Sequence, residues 1–247
     1  MDELVGGLRR ADSVTVDYDP GRLLQGDEWA RRAALLTTVL GNGPFGDVID
    51  LGSGIGQVSA WAAARAGQVI AFDLSHTHCL LYTFFMWHRK VGNAHVFHGS
   101  LAGLGGEHAP HPVDLLISFN ALSRAAVLDQ WPHVGRYLRP RGQALLAYPL
   151  LYGDADPTSE ESLALGAGLG DGSGEWQPPT PPGLDLVVTG RAGKTQISLP
   201  CAAIMTGRKE LFDFATGRPS PCWKGLPYFP IELEYRLYRA AEGSGGN

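Results

Sequence analysis

Val48-Ile49-Asp50-Leu51-Gly52-Ser53-Gly54-Ile55-Gly56 decides the fold class of this 247-residue chain. A short apolar run ends in an acid and enters a turn with glycine at every second position. Glycine adopts left-handed backbone angles that other residues avoid, and without a side chain it lets the main chain approach a bound molecule closely. The alanine-rich residues 59–66 then read as a helix, and Gln68-Val69-Ile70-Ala71-Phe72 reads as a second strand that ends at Asp73. Strand, glycine turn, helix and strand form a βαβ unit, so Asp50, the turn and Asp73 all fall where strands end.

The spacing within the turn discriminates among ligands. A nicotinamide-binding turn reads GxGxxG, with the third glycine packing helix against strand, but here Gln57 stands at that third position after Gly52 and Gly54. Asp50, ahead of the glycines, would repel a pyrophosphate yet suits a cationic ammonium group, directly or through water. Asp73, about twenty residues on, can accept both hydrogen bonds of a ribose 2′,3′-diol.

Outward from this unit the chain continues to alternate. Asp27 can cap a helix with apolar positions Trp29, Ala33, Leu36 and Leu40, which Gly41-Asn42-Gly43-Pro44 ends. Ser75 can cap another, in which Leu80, Leu81, Phe84, Phe85 and Trp87 predict a well-buried face. Further strands are predicted at 94–98, 113–119 and 143–150, with a helical stretch at 123–138 that Pro132 interrupts or restarts. Residues 153–183 are rich in glycine and proline and read as an insertion or a lid. Two strands at 184–188 and 195–199, a helix around 209–215 and an alternating run at 231–238 complete the pattern. This is one α/β domain over 1–240, comprising an N-terminal cap segment and helix (1–40), a cofactor-binding half (41–152), the insertion (153–183) and C-terminal strands (184–240). A mobile tail (241–247) follows.

Composition narrows the function classes. Lys plus Arg number 20 against 25 Asp plus Glu, a net charge of −5, so no general basic field exists to hold a nucleic acid. Cys79, Cys201 and Cys222 are widely spaced without a CxxC pair, and no apolar run reaches the length of a membrane span. A cytoplasmic location without membrane association is expected. His76 and His78 lie near the ribose edge, but no third or fourth ligand accompanies them, so no metal is expected.

The chain resembles the class I S-adenosylmethionine-dependent methyltransferases over roughly residues 27–150. Asp50-Leu51-Gly52-Ser53-Gly54-Ile55-Gly56 is similar to the family's first motif and Phe72-Asp73-Leu74-Ser75 to its ribose-binding strand end. Val113-Asp114-Leu115-Leu116-Ile117-Ser118 looks like the fourth strand, and Tyr137-Leu138-Arg139-Pro140-Arg141-Gly142 like the turn before the fifth. The resemblance implies a doubly wound, Rossmann-like sheet of order 3-2-1-4-5-7-6, with helices on both faces and the last strand antiparallel. It implies S-adenosyl-L-methionine as cofactor, held by Asp50, Gly52, Ser53, Gly54, Gly56, Asp73 and Leu74. Where the family often places an acid for the adenine amino group, this chain has His98-Gly99-Ser100-Leu101, so Ser100 or a backbone carbonyl would take that contact, with Leu101 beside it among the implied cofactor-binding residues. Phe119-Asn120-Ala121-Leu122 lacks the Asn-Pro-Pro-aromatic signature of methylases acting on planar amino groups.

Methyl transfer from a sulfonium is an in-line displacement that asks chiefly for positioning and water exclusion, so no dedicated nucleophile is required. Ligands of open α/β sheets lie beyond the carboxyl ends of the strands, which makes Asn120 the leading polar contact near the transferring methyl, although such a residue also serves as a loop cap. His133 is the candidate general base for a hydroxyl acceptor, although a surface or satisfied histidine is the stronger reading. The resemblance implies an N-terminal segment, with Tyr18, closing over the cofactor, and an ordinary packing tyrosine is the equal alternative. The expected partner is a small-molecule acceptor methylated on oxygen or nitrogen, as in natural product biosynthesis. A peptide or protein acceptor, or a cofactor-binding scaffold without transfer activity, is the alternative.

Overall fold

The computed structural model describes residues 26–100, 111–119, 130–150, 178–198, 212–213, 218–219 and 228–242. The strands are β1 (Phe45–Leu51), β2 (Ala66–Asp73), β3 (Ala94–His98), β4 (Val113–Phe119), β5 (Leu138–Leu150), β6 (Leu184–Ser198), β7 (Phe212–Asp213), β8 (Arg218–Pro219) and β9 (Tyr228–Ala240). Helices α1 (Gly26–Leu40), α2 (Gln57–Ala63) and α3 (His76–His88) and a 3-10 helix (Trp131–Tyr137) complete the described elements.

Seven strands form one sheet in the order β3-β2-β1-β4-β5-β9-β6. The first five are parallel, and β9 runs antiparallel to both β5 and β6. As β9 is the seventh strand of this sheet in chain order, the order is 3-2-1-4-5-7-6, a Rossmann-like arrangement. The central strands β1, from Val48 to Leu51, and β4, apart from Asp114, are buried, as strands covered on both faces require.

Each face carries its own core. On one, Leu36 of α1, Val58 and Trp61 of α2, and Tyr82 and Met86 of α3 close over Val48, Ala71 and Ile117. On the other, Trp131, Val134 and Tyr137 of the 3-10 helix cover Ile49, Leu116, Leu146 and Tyr238. The amino ends of β1 and β4 are clamped by Arg139, whose guanidinium pairs with Asp47 at 2.9 Å and Asp114 at 3.0 Å. Arg139 reaches them because Leu138 and Gln143 of β5 sit opposite Val113 and Leu115, which leaves Arg139-Pro140-Arg141-Gly142 looped out. Arg141 takes φ 65° there, and a side chain at Gly142 would begin 2.8 Å from the Arg139 carbonyl.

Several local expectations are corrected. The helix predicted at 59–66 occupies Gln57–Ala63, and α1 begins at Gly26, ahead of the proposed cap Asp27. Of the helical stretch predicted at 123–138, residues 123–129 lie outside the described residues; Trp131–Tyr137 is a 3-10 helix with Pro132 in its first turn, where a missing N–H costs nothing, and Leu138 already opens β5. The two strands at 184–188 and 195–199 are one strand, β6, held together along its length by pairing with β9. Within the helix predicted around 209–215, Phe212 and Asp213 instead pair with Arg218 and Pro219 as a short ribbon.

The largest correction concerns α3. The predicted apolar face is mostly outside: Trp87 is 73% exposed, and Leu80 and Phe84 are also exposed. Thr77, Cys79, Tyr82 and Met86 are the buried positions. Apolar residues occur on more than one side of this helix, so the choice of inner face fell to Gly56. A Cβ there would meet Tyr82 Cδ2 at 2.6 Å and would also strike Met86 Cε. No helix among the described residues is long and apolar enough to cross a membrane.

Candidate functional site

The carboxyl ends of β1, β2 and β3 lie side by side, and the sheet order reverses between β1 and β4, the usual position of a ligand crevice in an open α/β sheet. The turn after β1 is built on positive φ angles: 68° at Gly52, 55° at Gly54 and 89° at Gly56. It is tied to β2 by two N–H groups, Gly52 and Ser53, that both donate to the Phe72 carbonyl at 2.7 and 3.0 Å. Gly56 N–H closes the turn onto Ser53 O at 2.9 Å. Ser53 itself is buried, and its hydroxyl has no hydrogen-bond partner among the described residues.

Asp73 joins the turn to the next helix. Its Oδ2 accepts from Gly54 N–H at 2.8 Å, and its Oδ1 accepts from Ser75 N–H at 2.8 Å. His78 Nδ1 lies 3.1 Å from the same Oδ1. Ser75 caps α3 as its sequence position predicts, accepting from His78 N–H at 3.2 Å. Leu74 stands exposed beside this carboxylate. Gly99 N–H donates to the Asp73 carbonyl at 2.9 Å, which brings half-buried Ser100 alongside the strand end.

Asp50 points elsewhere. Side chains alternate along a strand, so Asp50 shares with Val48 the face covered by helices and is only 1% exposed. Its Oδ2 accepts from Ser59 Oγ of α2 at 2.6 Å. Burial pushes its pKa up to about 7, against the lowering effect of Ser59 and with a further upward push from the charge of Asp73. Asp50 therefore faces Ser59 of α2 from the strand end that opens the glycine turn, with almost none of its own surface exposed. Ser59, which sequence reasoning missed, could have been flagged only as the lone hydroxyl in an alanine-rich helix.

Tyr18, Leu101, Asn120 and most of the 153–183 insertion lie outside the described residues. His133 is exposed on the 3-10 helix, between the buried positions Trp131 and Val134. Cys79 is buried and unpaired, its thiol pushed up to about 11 chiefly by burial, which is the behaviour of a small core residue. Among the described residues no group of three or more His, Cys, Asp or Glu is placed to hold a metal.

Solved structures share this architecture. One is a protein of Bacillus halodurans C-125 described as a methyltransferase, 16% identical, with a TM-score of 0.55 over 85% of this chain and 98% of that one. Another is the N-methyltransferase NodS of Bradyrhizobium japonicum WM9, 10% identical, with a TM-score of 0.53 over 89% of this chain and 100% of that one. The fold is that of the class I methyltransferases. No family model and no curated protein matches the sequence. The glycine turn and Asp73 stand at the carboxyl ends of β1 and β2, beside the reversal of the sheet order.

Proposed function

We propose that the chain is an S-adenosylmethionine-dependent methyltransferase acting on oxygen or nitrogen of a small-molecule acceptor. The observation that carries this reading is the Asp73 carboxylate, bonded at 2.8 Å to Gly54 N–H and so held at the lip of a turn with three left-handed glycines. A hydrogen-bond-accepting carboxylate at that point suits a ribose diol, and glycines without side chains would let the turn approach the nucleoside closely. The bound cofactor would supply a methyl group on an electrophilic sulfonium. Gly52 and Gly54 would form the floor beneath it, Asp73 would orient the ribose, and Leu74 and Ser100 would flank the base. Asp50 faces Ser59 of α2 from the strand end that opens the turn. Transfer then needs an acceptor held in line and water kept out, work for residues beyond the ends of β4 and β5, where Asn120 is the assigned polar contact. A small acceptor is favoured over a nucleic acid because the chain is net acidic.

Calorimetric titration tests the cofactor assignment. Asp73→Ala should weaken S-adenosylmethionine binding about tenfold to hundredfold, the worth of two hydrogen bonds to a charged acceptor, in a variant whose circular dichroism is unchanged. Unaltered affinity would remove Asp73 from the site. Transfer of a labelled methyl group into low-molecular-mass rather than macromolecular material tests the acceptor class.

A further inference from the structure

We propose that His78 is a selectivity-determining residue of the ribose subsite, occupying on Asp73 an acceptor position that one hydroxyl of a cis-diol needs. The inference rests on the cofactor reading above and deepens it.

A carboxylate accepts about four hydrogen bonds, two on each oxygen. Three are already made: Gly54 N–H on Oδ2, and Ser75 N–H and His78 Nδ1 on Oδ1. A carboxylate oxygen only accepts, so this contact belongs to the tautomer that carries its proton on Nδ1. A ribose 2′,3′-diol brings two further donors, one more than the single open position on Oδ2 can receive. One contact must yield.

The two backbone donors cannot. Gly54 belongs to a turn tied to β2 by the bonds of Gly52 and Ser53, and Ser75 is the N-cap of α3. Both of their bonds are 2.8 Å, whereas that of His78 is 3.1 Å. His78 contributes a side chain from the first turn of α3, 18% exposed, so yielding Oδ1 asks for a side-chain rotation and not for a change in the backbone of the turn or the cap. A ligand with one ribose hydroxyl fits the open Oδ2 position with His78 in place. A ligand with two must displace it.

Affinities for adenosine and 2′-deoxyadenosine, measured by calorimetry on the whole chain, test this directly. In His78→Ala and in His78→Phe, which keeps a ring but no N–H, adenosine should bind about three- to tenfold tighter, the worth of one hydrogen bond no longer exchanged, while 2′-deoxyadenosine is unchanged. The ribo-to-deoxy ratio therefore rises by the same factor. Equal changes for both nucleosides, or none, in variants with wild-type circular dichroism would overturn the role of His78 while leaving the cofactor reading standing. Wild-type protein that binds neither adenosine nor S-adenosylhomocysteine would overturn the cofactor reading and this inference with it.

Discussion

At Asp50 a carboxyl group is placed where water cannot reach it, and its only described side-chain partner is Ser59. With a pKa near 7 in the folded chain against an ordinary value of 3.8, the folded state holds this proton more tightly than the unfolded state does. Stability from this group is thus greatest below pH 4, falls as pH rises from about 4 to 7, and is level above that. About three units correspond to roughly 4 kcal/mol, an upper figure for one site. Asp50→Asn should flatten that part of the pH profile in urea denaturation between pH 4.5 and 7.5. Identical slopes in variant and wild type would mean that Asp50 titrates as an ordinary carboxylate. Gly56 makes the opposite kind of demand, on shape. With φ at 89° and Tyr82 and Met86 lying where its Cβ would go, Gly56→Ala should lose about 2–4 kcal/mol of unfolding free energy. A loss under about 0.5 kcal/mol would show that α3 shifts freely on the turn.

Among the elements, α3 shows most plainly how context selects a face. Its amino end is fixed by the Ser75 cap and its inner side by Cys79, Tyr82 and Met86, so Leu80, Phe84 and Trp87 are left toward solvent. Phe84→Gln and Trp87→Gln should each change stability by no more than about 0.5 kcal/mol, whereas Met86→Ala should cost about 2–5 kcal/mol. Thermal denaturation of the three variants would reverse this assignment if the order came out otherwise.

For the whole molecule, the last strand is the binding element. β9 is the sixth strand of the sheet in space though the last in the chain, and it pairs with β5 along Gln143–Leu150 and with β6 along nearly its full length. Leu237 and Leu233 complete one core, and Tyr238 the other. A chain ending at residue 227 would leave β6 without its strand partner in this sheet and both cores open. It should show no cooperative urea transition, and a cooperative transition near the wild-type midpoint would mean that β1 to β5 fold as an independent unit.

The alternation of parallel strands with helices and the position of the glycine turn were legible in the sequence because both are carried by short-range signals, whereas the strand order came from the resemblance to the methyltransferase family. Alternating apolar runs and helices specify parallel crossovers, glycine at every second position marks a left-handed turn, and acids at 50 and 73 mark two strand ends. The Arg139-Pro140-Arg141-Gly142 turn and the Ser75 cap were legible for the same reason. Direction was not. Whether Asp50 faces a ligand or Ser59 and which side of α3 turns inward both depend on residues remote in sequence that meet only when the sheet closes. The three donors on Asp73 come from a loop, a helix cap and a helix side chain, and its Oδ2 partner lies 19 residues away. Periodicity encodes that a residue sits on a face, but burial and hydrogen-bond saturation are properties of the neighbours, and those the tertiary structure alone decided.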